Sequence, residues 1–508
     1  MTAVALIRPA SVVARNALTL NATPPLSVAY LAASLAGAGH DVQVIDAVGE
    51  GLDVMRRGDR PDVMENGLGA EEVVRRVRPG VELLGVSCMF SHEWPSVRAL
   101  LARLAAAFPG VPLVCGGEHA TALPEFSLQD APGLTACALG EGEETVVDLA
   151  RAVGAGRPLT TVAGLAVRCG DRVVRTAPRG RLRALDDIPA PRWDLVPIER
   201  YLAGGHSFGV DRGRTMPLLA SRGCPYRCTF CSSPQMWTTR YVTRSPACVV
   251  DEIEGYVRDH GVEAVDFYDL TAIVRREWVL EFCRLLRARR VPVSWQLPSG
   301  TRSEALDADV LRAMVGAGCR NVSYAPESGS PRTLERVLKK VRLPRMEASM
   351  RAAVRAGLNV KANVMIGFPD ERADDLRETL AFIARMARDG VHDVSVWTFS
   401  PYPGSQLFDE LRAAGRIPAL DDDYFTSLLS YSNLGGAVSY DEHFSSRALE
   451  RYRLAGMSLF YLTSYLTHPS RPLRSLHNVA RHRYESRMEM ALANLLRRRR
   501  ASAAQGAA

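Results

Sequence analysis

Cys224, Cys228 and Cys231 stand in the run Ser-Arg-Gly-Cys-Pro-Tyr-Arg-Cys-Thr-Phe-Cys. A CxxxCxxC loop of this pitch can bring three thiolates to three corners of one iron–sulfur cluster, a group normally held by four cysteines. No fourth cysteine lies beside these three, which would leave one iron open to a small-molecule ligand. Gly223 lets the backbone approach closely, and Pro225 stiffens the loop. Two plainer readings compete. Structural zinc takes a closed set of four ligands, often as two CxxC pairs. Alternatively, the three thiols are simply buried and inert, as suits the singly scattered Cys88, Cys115, Cys137, Cys169, Cys248, Cys283 and Cys319.

The elements that must position this loop are legible as strand–helix alternation. From 4 to about 153, short apolar runs at 4–7, 42–45, 83–87, 113–115 and 136–139 alternate with helical spacing at 25–38, 71–77 and 95–108. This predicts an α/β fold, a doubly wound parallel sheet over 1–153 with ligands at the carboxyl ends of its strands. Residues 154–215 carry short β-like runs (164–168, 172–175) and a proline-rich stretch, and read as a linker. From 216 to 408, candidate strands at 217–221, 264–268, 293–296, 321–325, 359–366 and 393–399 suit a partial (β/α)6 barrel. Active residues of such barrels sit at the carboxyl ends of the strands, and the cysteine loop directly follows the first one. Residues 409–508 read as mainly helical.

Hydrophobic residues make up 47% and charged residues 23% of the 508, ordinary for a globular enzyme of two or three domains. The first residues lack the pattern of a signal peptide, no run of apolar residues is long enough to span a bilayer, and ten cysteines do not make a disulfide scaffold. A labile cluster needs a reducing compartment, so a cytoplasmic location is expected. The net charge of +7 is carried by the end of the chain, where 468–500 holds nine Arg against two Glu. This basic stretch follows a run rich in leucine and tyrosine (454–466). It could lie on an anionic membrane surface or contact RNA, or be a docked helix with a solvated arginine tail.

With Phe230 just before the last cysteine, the cysteine motif resembles that of the radical S-adenosylmethionine enzymes. The resemblance implies a 4Fe–4S cluster held by Cys224, Cys228 and Cys231, with S-adenosylmethionine on the open iron. One electron from an external donor would cleave it to methionine and a 5′-deoxyadenosyl radical that abstracts hydrogen from an unactivated carbon. Further strand ends match the family over about 216–408. Phe267-Tyr268-Asp269-Leu270 resembles the motif that meets the cofactor's amino group, although Leu270 stands where the family usually has a second acid. Glu327 and Ser328 resemble the motif near the ribose. The run 365–371, with Gly367, resembles the one that packs on the adenine, and 400–405 resembles the sixth strand end.

The first 150 residues resemble the cobalamin-binding domains fused to radical enzymes. The loops implied to cradle the corrin and its nucleotide tail carry Thr23, Pro25 and Leu26; Asp46; Ser87 to Glu93; Gly116, Gly117 and His119; and Gly140 and Glu141. The run Asp-x-His-x-x-Gly, whose His replaces the cofactor's own base in many such domains, is absent. His92 lies on a suitable loop but reads first as a surface or core histidine rather than an axial ligand.

Together these resemblances imply a cobalamin-dependent enzyme that transfers a methyl group from methylcobalamin to an unactivated carbon of a small-molecule or lipid-like substrate. One alternative keeps both cofactors for cyclisation, ring contraction or oxidation without methyl transfer. An RNA methylthiotransferase would need a second cysteine cluster in the first domain, which is lacking, so no nucleic-acid partner is expected. The non-enzyme alternative is a cobalamin-binding sensor with a structural cluster.

Overall fold

A computed structural model describes residues 1–17, 22–58, 60–431 and 435–506. Five parallel strands build the first sheet: β1 (Ala3–Arg8), β2 (Asp41–Asp46), β3 (Leu83–Ser87), β4 (Leu113–Gly116) and β5 (Ala136–Ala138). Their spatial order, β2-β1-β3-β4-β5, is a doubly wound order whose switch point lies between β1 and β3. Alternation along β1 explains the layering. Val4 and Leu6 pack on one face with helices Leu26–Gly37 and Glu143–Gly154, while Ala5 and Ile7 pack on the other with helix Trp94–Ala107.

The two short runs beyond 153 are strands of this same sheet. β6 (Leu165–Cys169) pairs antiparallel with β5, and β7 (Arg172–Arg175) with β6, closing the edge. Sequence reading also missed a small antiparallel sheet of Ser11–Ala14, Val63–Asn66 and Met55–Arg57.

The second sheet is the expected partial barrel. β8 (Thr215–Leu218), β9 (Ala264–Phe267), β10 (Ser294–Thr301), β11 (Cys319–Glu327), β12 (Asn359–Ile366) and β13 (Asp393–Thr398) pair in sequence order, all parallel. In β12, Val360, Ala362, Val364 and Ile366 are buried, while Asn359, Lys361, Asn363 and Met365 between them are only partly so. This is the period-2 pattern of a strand with one face under helices and the other on a lumen. β8 stops at Leu218, short of the expected 221. Ser221–Arg222 then pairs antiparallel with Val242–Thr243, so the cysteine loop hangs from a two-stranded clasp at the mouth of the barrel. The region after 408 is mainly helical, with Ser446–Thr467, Ser470–Ala480 and Arg487–Gly506 its main helices.

Candidate active site

The carboxyl ends of the two sheets face each other, and the cysteine loop lies where they meet. Arg222, two residues before Cys224, is buried and pairs with Glu141 at 3.2 Å and Glu143 at 2.5 Å, both just after β5. Ser232, directly after Cys231, donates to the Glu118 carboxylate at the start of the short helix Glu118–Ala122 that follows β4. Thr121 Oγ1 approaches Met236 Sδ at 3.4 Å, and Tyr268, following β9, is hydrogen-bonded to Thr23.

Gly223 is required where it stands. Its φ is +83°, and a Cβ there would collide with the carbonyl oxygen of Arg240. Cys224, Cys228 and Cys231 are free thiols of intermediate exposure on one short loop. Burial pushes the Cys231 thiol up to about 12 and raises Cys228, against the pull of Lys339 and Arg302 nearby. Such thiols give up their protons to a metal. Among the described residues, no group of three or more His, Cys, Asp or Glu side chains is placed to hold a single metal ion. Three unpaired thiols on one short loop are the donor set that an iron–sulfur cluster takes.

Around the loop lie residues that sequence reading missed. The Arg302 guanidinium sits 3.5 Å from the centre of the Tyr226 ring and pairs with Glu304 at 2.8 Å. Lys339 Nζ meets Glu327 Oε1 at 2.8 Å, both side chains being buried. Arg302 directly follows β10, so the strand-end rule that singled out Asp269 could have found it. Lys339 lies beyond a helix and offered no such signal.

The expected cofactor residues divide by what their side chains do. Glu327 ends β11 in the left-handed region at φ +65°; Lys339 takes Oε1, while Oε2 has no partner among the described residues. Asp269 is buried, and its carboxylate accepts from the Ser221 hydroxyl and the Ala220 amide, so it braces the clasp under the cysteine loop. Burial holds it up at about 6. Ser328 Oγ lies 3.0 Å from Thr379 Oγ1 and accepts from the Ser330 amide. The Gly367 amide donates to Glu371 Oε2 at 2.6 Å.

In the first domain, Asp46 receives the Tyr201 hydroxyl at 2.7 Å and lies 3.6 Å from Arg8, whose guanidinium also donates to the Thr23 carbonyl. Pro25 caps the helix that begins at Leu26. Ser87 and Gly116 end β3 and β4 side by side. A Cβ on Gly117 would strike the Cys88 carbonyl, so only glycine lets these two loops nest. His119 is a core residue. It stacks on Trp94 at 4.6 Å, its Nδ1 lies 2.9 Å from Ser91 Oγ, and burial lowers its pKa to about 3. The Gly140 amide donates to Thr121 Oγ1. Glu141 is an ion-pair node held by Arg222 and, at 2.8 Å, by Arg181. His92 is buried, with its pKa lowered to about 3. These loops therefore offer backbone amides, small residues and apolar surface to a ligand, while His119 and Glu141 are engaged within the protein.

A fold of this kind, with a three-cysteine loop at the mouth of a partial barrel facing a doubly wound domain, defines a class, and comparison with known proteins names it. The model of the Radical SAM superfamily matches residues 218–383, and that of the B12 binding domain matches residues 13–150. An uncharacterized methyltransferase of Pyrococcus horikoshii is 28% identical over 443 residues, covering 86% of this chain and 88% of that protein. An anaerobic magnesium-protoporphyrin IX monomethyl ester cyclase of Cereibacter sphaeroides is 31% identical across 77% of this chain, which spans only 60% of the cyclase. The structure of TsrM, a radical S-adenosylmethionine methyltransferase from Kitasatospora setae with cobalamin and a [4Fe-4S] cluster bound, superposes with a TM-score of 0.62. It is 18% identical and covers 82% of this chain and 78% of its own. The chain belongs to the radical S-adenosylmethionine enzymes and carries a B12-binding domain. The first match implies a 4Fe–4S cluster and S-adenosylmethionine, the second cobalamin.

Proposed function

We propose that this enzyme is a methyltransferase that moves a methyl group from S-adenosylmethionine, by way of cobalamin, to an unactivated carbon of a small molecule. The observation that carries the proposal is the direct opposition of the two carboxyl-end faces across the cysteine loop. A reacting carbon held between them would be within reach of both cofactors. The bound groups supply the radical and methyl-transfer chemistry; the protein supplies position and exclusion of water.

In this reading the cobalamin-binding domain runs past 153 to the end of β7, the barrel spans 215 to 408, and Cys224, Cys228 and Cys231 hold the cluster. Gly223 keeps their loop close to the clasp, and Asp269 positions that clasp. Glu327 offers Oε2 to the ribose hydroxyls while Lys339 neutralises Oε1. Ser328 and Gly367 shape the two strand ends beside it. The corrin is cradled by the backbone of the loops at Thr23, Pro25 and Leu26, Asp46, Ser87, Gly116, Gly117 and His119, and Gly140 and Glu141. An external donor supplies the electron.

The test is anaerobic reconstitution with cobalamin, a strong reductant and S-adenosylmethionine bearing a deuterated methyl, followed by mass spectrometry. Deuterated methyl in the cobalamin fraction together with 5′-deoxyadenosine is expected. Cys224→Ala, Cys228→Ala and Cys231→Ala should each abolish 5′-deoxyadenosine, while Cys248→Ala retains it. Formation of 5′-deoxyadenosine with cobalamin bound but never labelled would refute methyl transfer. It would instead favour ring formation or oxidation, a reading supported by the similarity to the cyclase.

A further inference from the structure

The last helices present an apolar face to solvent. On helix Ser470–Ala480, Asn478 and Val479 are buried, whereas Leu473 and Leu476, one turn apart, are 73% and 60% exposed. This amphipathic helix thus has its leucines outward, the reverse of a helix folded onto its own core. The preceding helix, which touches it, also exposes leucines, Leu454, Leu462 and Leu466 by 50%, 63% and 83%. Arginines outnumber acids around these leucines, although Arg474 pairs with Glu485 at 3.2 Å. Arg447, Arg451, Arg474, Arg481, Arg483 and Arg497 are exposed, while Glu450 and Glu485 are partly buried and Glu489 is buried; 446–497 contains no Asp. Not every arginine of the tail is available. Arg471 donates to the carbonyls of Val391 and Gly390, and the partly buried Arg487 lies beside Asp266 and Asp393.

We propose that the face formed by helices Ser446–Thr467 and Ser470–Ala480 docks in the plane of an anionic lipid bilayer. Leucines enter the acyl boundary and the surrounding arginines meet the headgroups. The charge pattern selects this occupant. Two copies of the face would bring like charges together, and a nucleic acid would have no use for a leucine stripe. Among the described residues no helix is long and apolar enough to cross a membrane, so the contact is peripheral.

The test is co-sedimentation of the full chain with phosphatidylglycerol–phosphatidylcholine vesicles and with phosphatidylcholine vesicles. Binding to the anionic vesicles alone, weakened by salt, is expected. The double variant Leu473→Glu, Leu476→Glu should lower partitioning at least about tenfold, since it removes apolar area from the contact and adds repelled charge. Both positions are exposed, so the variant should keep its melting temperature. Arg481→Glu with Arg483→Glu should weaken binding while leaving the leucines in place. Absence of vesicle binding, or binding that the leucine variant leaves unchanged, would overturn the proposal. So would light scattering that shows a dimer dissolved by the same variant, which would assign the face to a second copy.

Discussion

Gly223 carries two demands at once, a left-handed backbone and the close approach of the Arg240 carbonyl. Gly223→Ala costs about 1–2 kcal/mol for the backbone alone, and the collision must in addition push the cysteine loop off its clasp. The expected result is a protein with unchanged circular dichroism that takes up less iron and sulfide on anaerobic reconstitution. Full iron uptake would show that the loop tolerates the shift. The Lys339–Glu327 pair makes a different demand. Both side chains are buried, so removing the cation strands a carboxylate that has already lost its water. Lys339→Met should destabilise by roughly 3–5 kcal/mol, the range for an orphaned partner of a buried pair. Adding Glu327→Gln should recover part of that in urea unfolding. A double variant no more stable than the single one would show that the lysine acts through packing of its stem instead.

At the scale of elements, Arg222 is the joint between the two sheets, because its guanidinium spans the Glu141 and Glu143 carboxylates after β5. Arg222→Met strips Glu143 of its cation while Arg181 still holds Glu141, and should cost about 3–5 kcal/mol. It should also open the clasp, read as faster limited proteolysis within 222–242 than in the parent protein. The barrel strands were legible because each is an apolar run followed by a turn motif, and a parallel strand under helices must be apolar. β6 and β7 were not, because edge strands that pair antiparallel carry charges such as Arg172 and Arg175, as a loop does. The cysteine loop was legible because cluster ligation fixes both residue type and spacing. The engagement of Glu141 was not, since its partners Arg181 and Arg222 lie 40 and 81 residues away along the chain. Residue type alone does not say whether a strand-end carboxylate meets a ligand or an arginine. Nor does a count of arginines reveal that Arg471 and Arg487 turn inward while leucines turn outward.

For the whole molecule, buried groups of opposite kinds set the response to pH. Burial holds His92, His119 and His392 neutral, each at about 3. A lowered folded pKa contributes stability that is present above the unfolded value and lost as pH falls toward the folded one. Burial also raises acids: Asp266 and Asp269 to about 6, Glu93 to about 7 and Glu371 to about 8. These stay protonated in the folded chain after the unfolded chain has ionised, so they lower stability as pH rises through the same interval. Between about pH 4.5 and 6 the two sets oppose each other and stability should change little. Below about 4 these four acids are protonated in both states, and carboxylates that arginine partners hold low, such as Asp307 beside Arg276 and Asp370 beside Arg336, act with the histidines, so stability should fall steeply. Above about 6.5 the histidines are neutral in both states, and Glu371 should draw stability down by up to about 1.4 kcal/mol per pH unit until it ionises near 8. Glu371→Gln keeps an oxygen for the Gly367 amide and removes the titration. The urea midpoint of the parent protein should drop between pH 6.5 and 8, and that of the variant should drop less. Parallel curves for the two proteins would mean that Glu371 is already ionised in the folded state, a charge paid for by the strand end it caps.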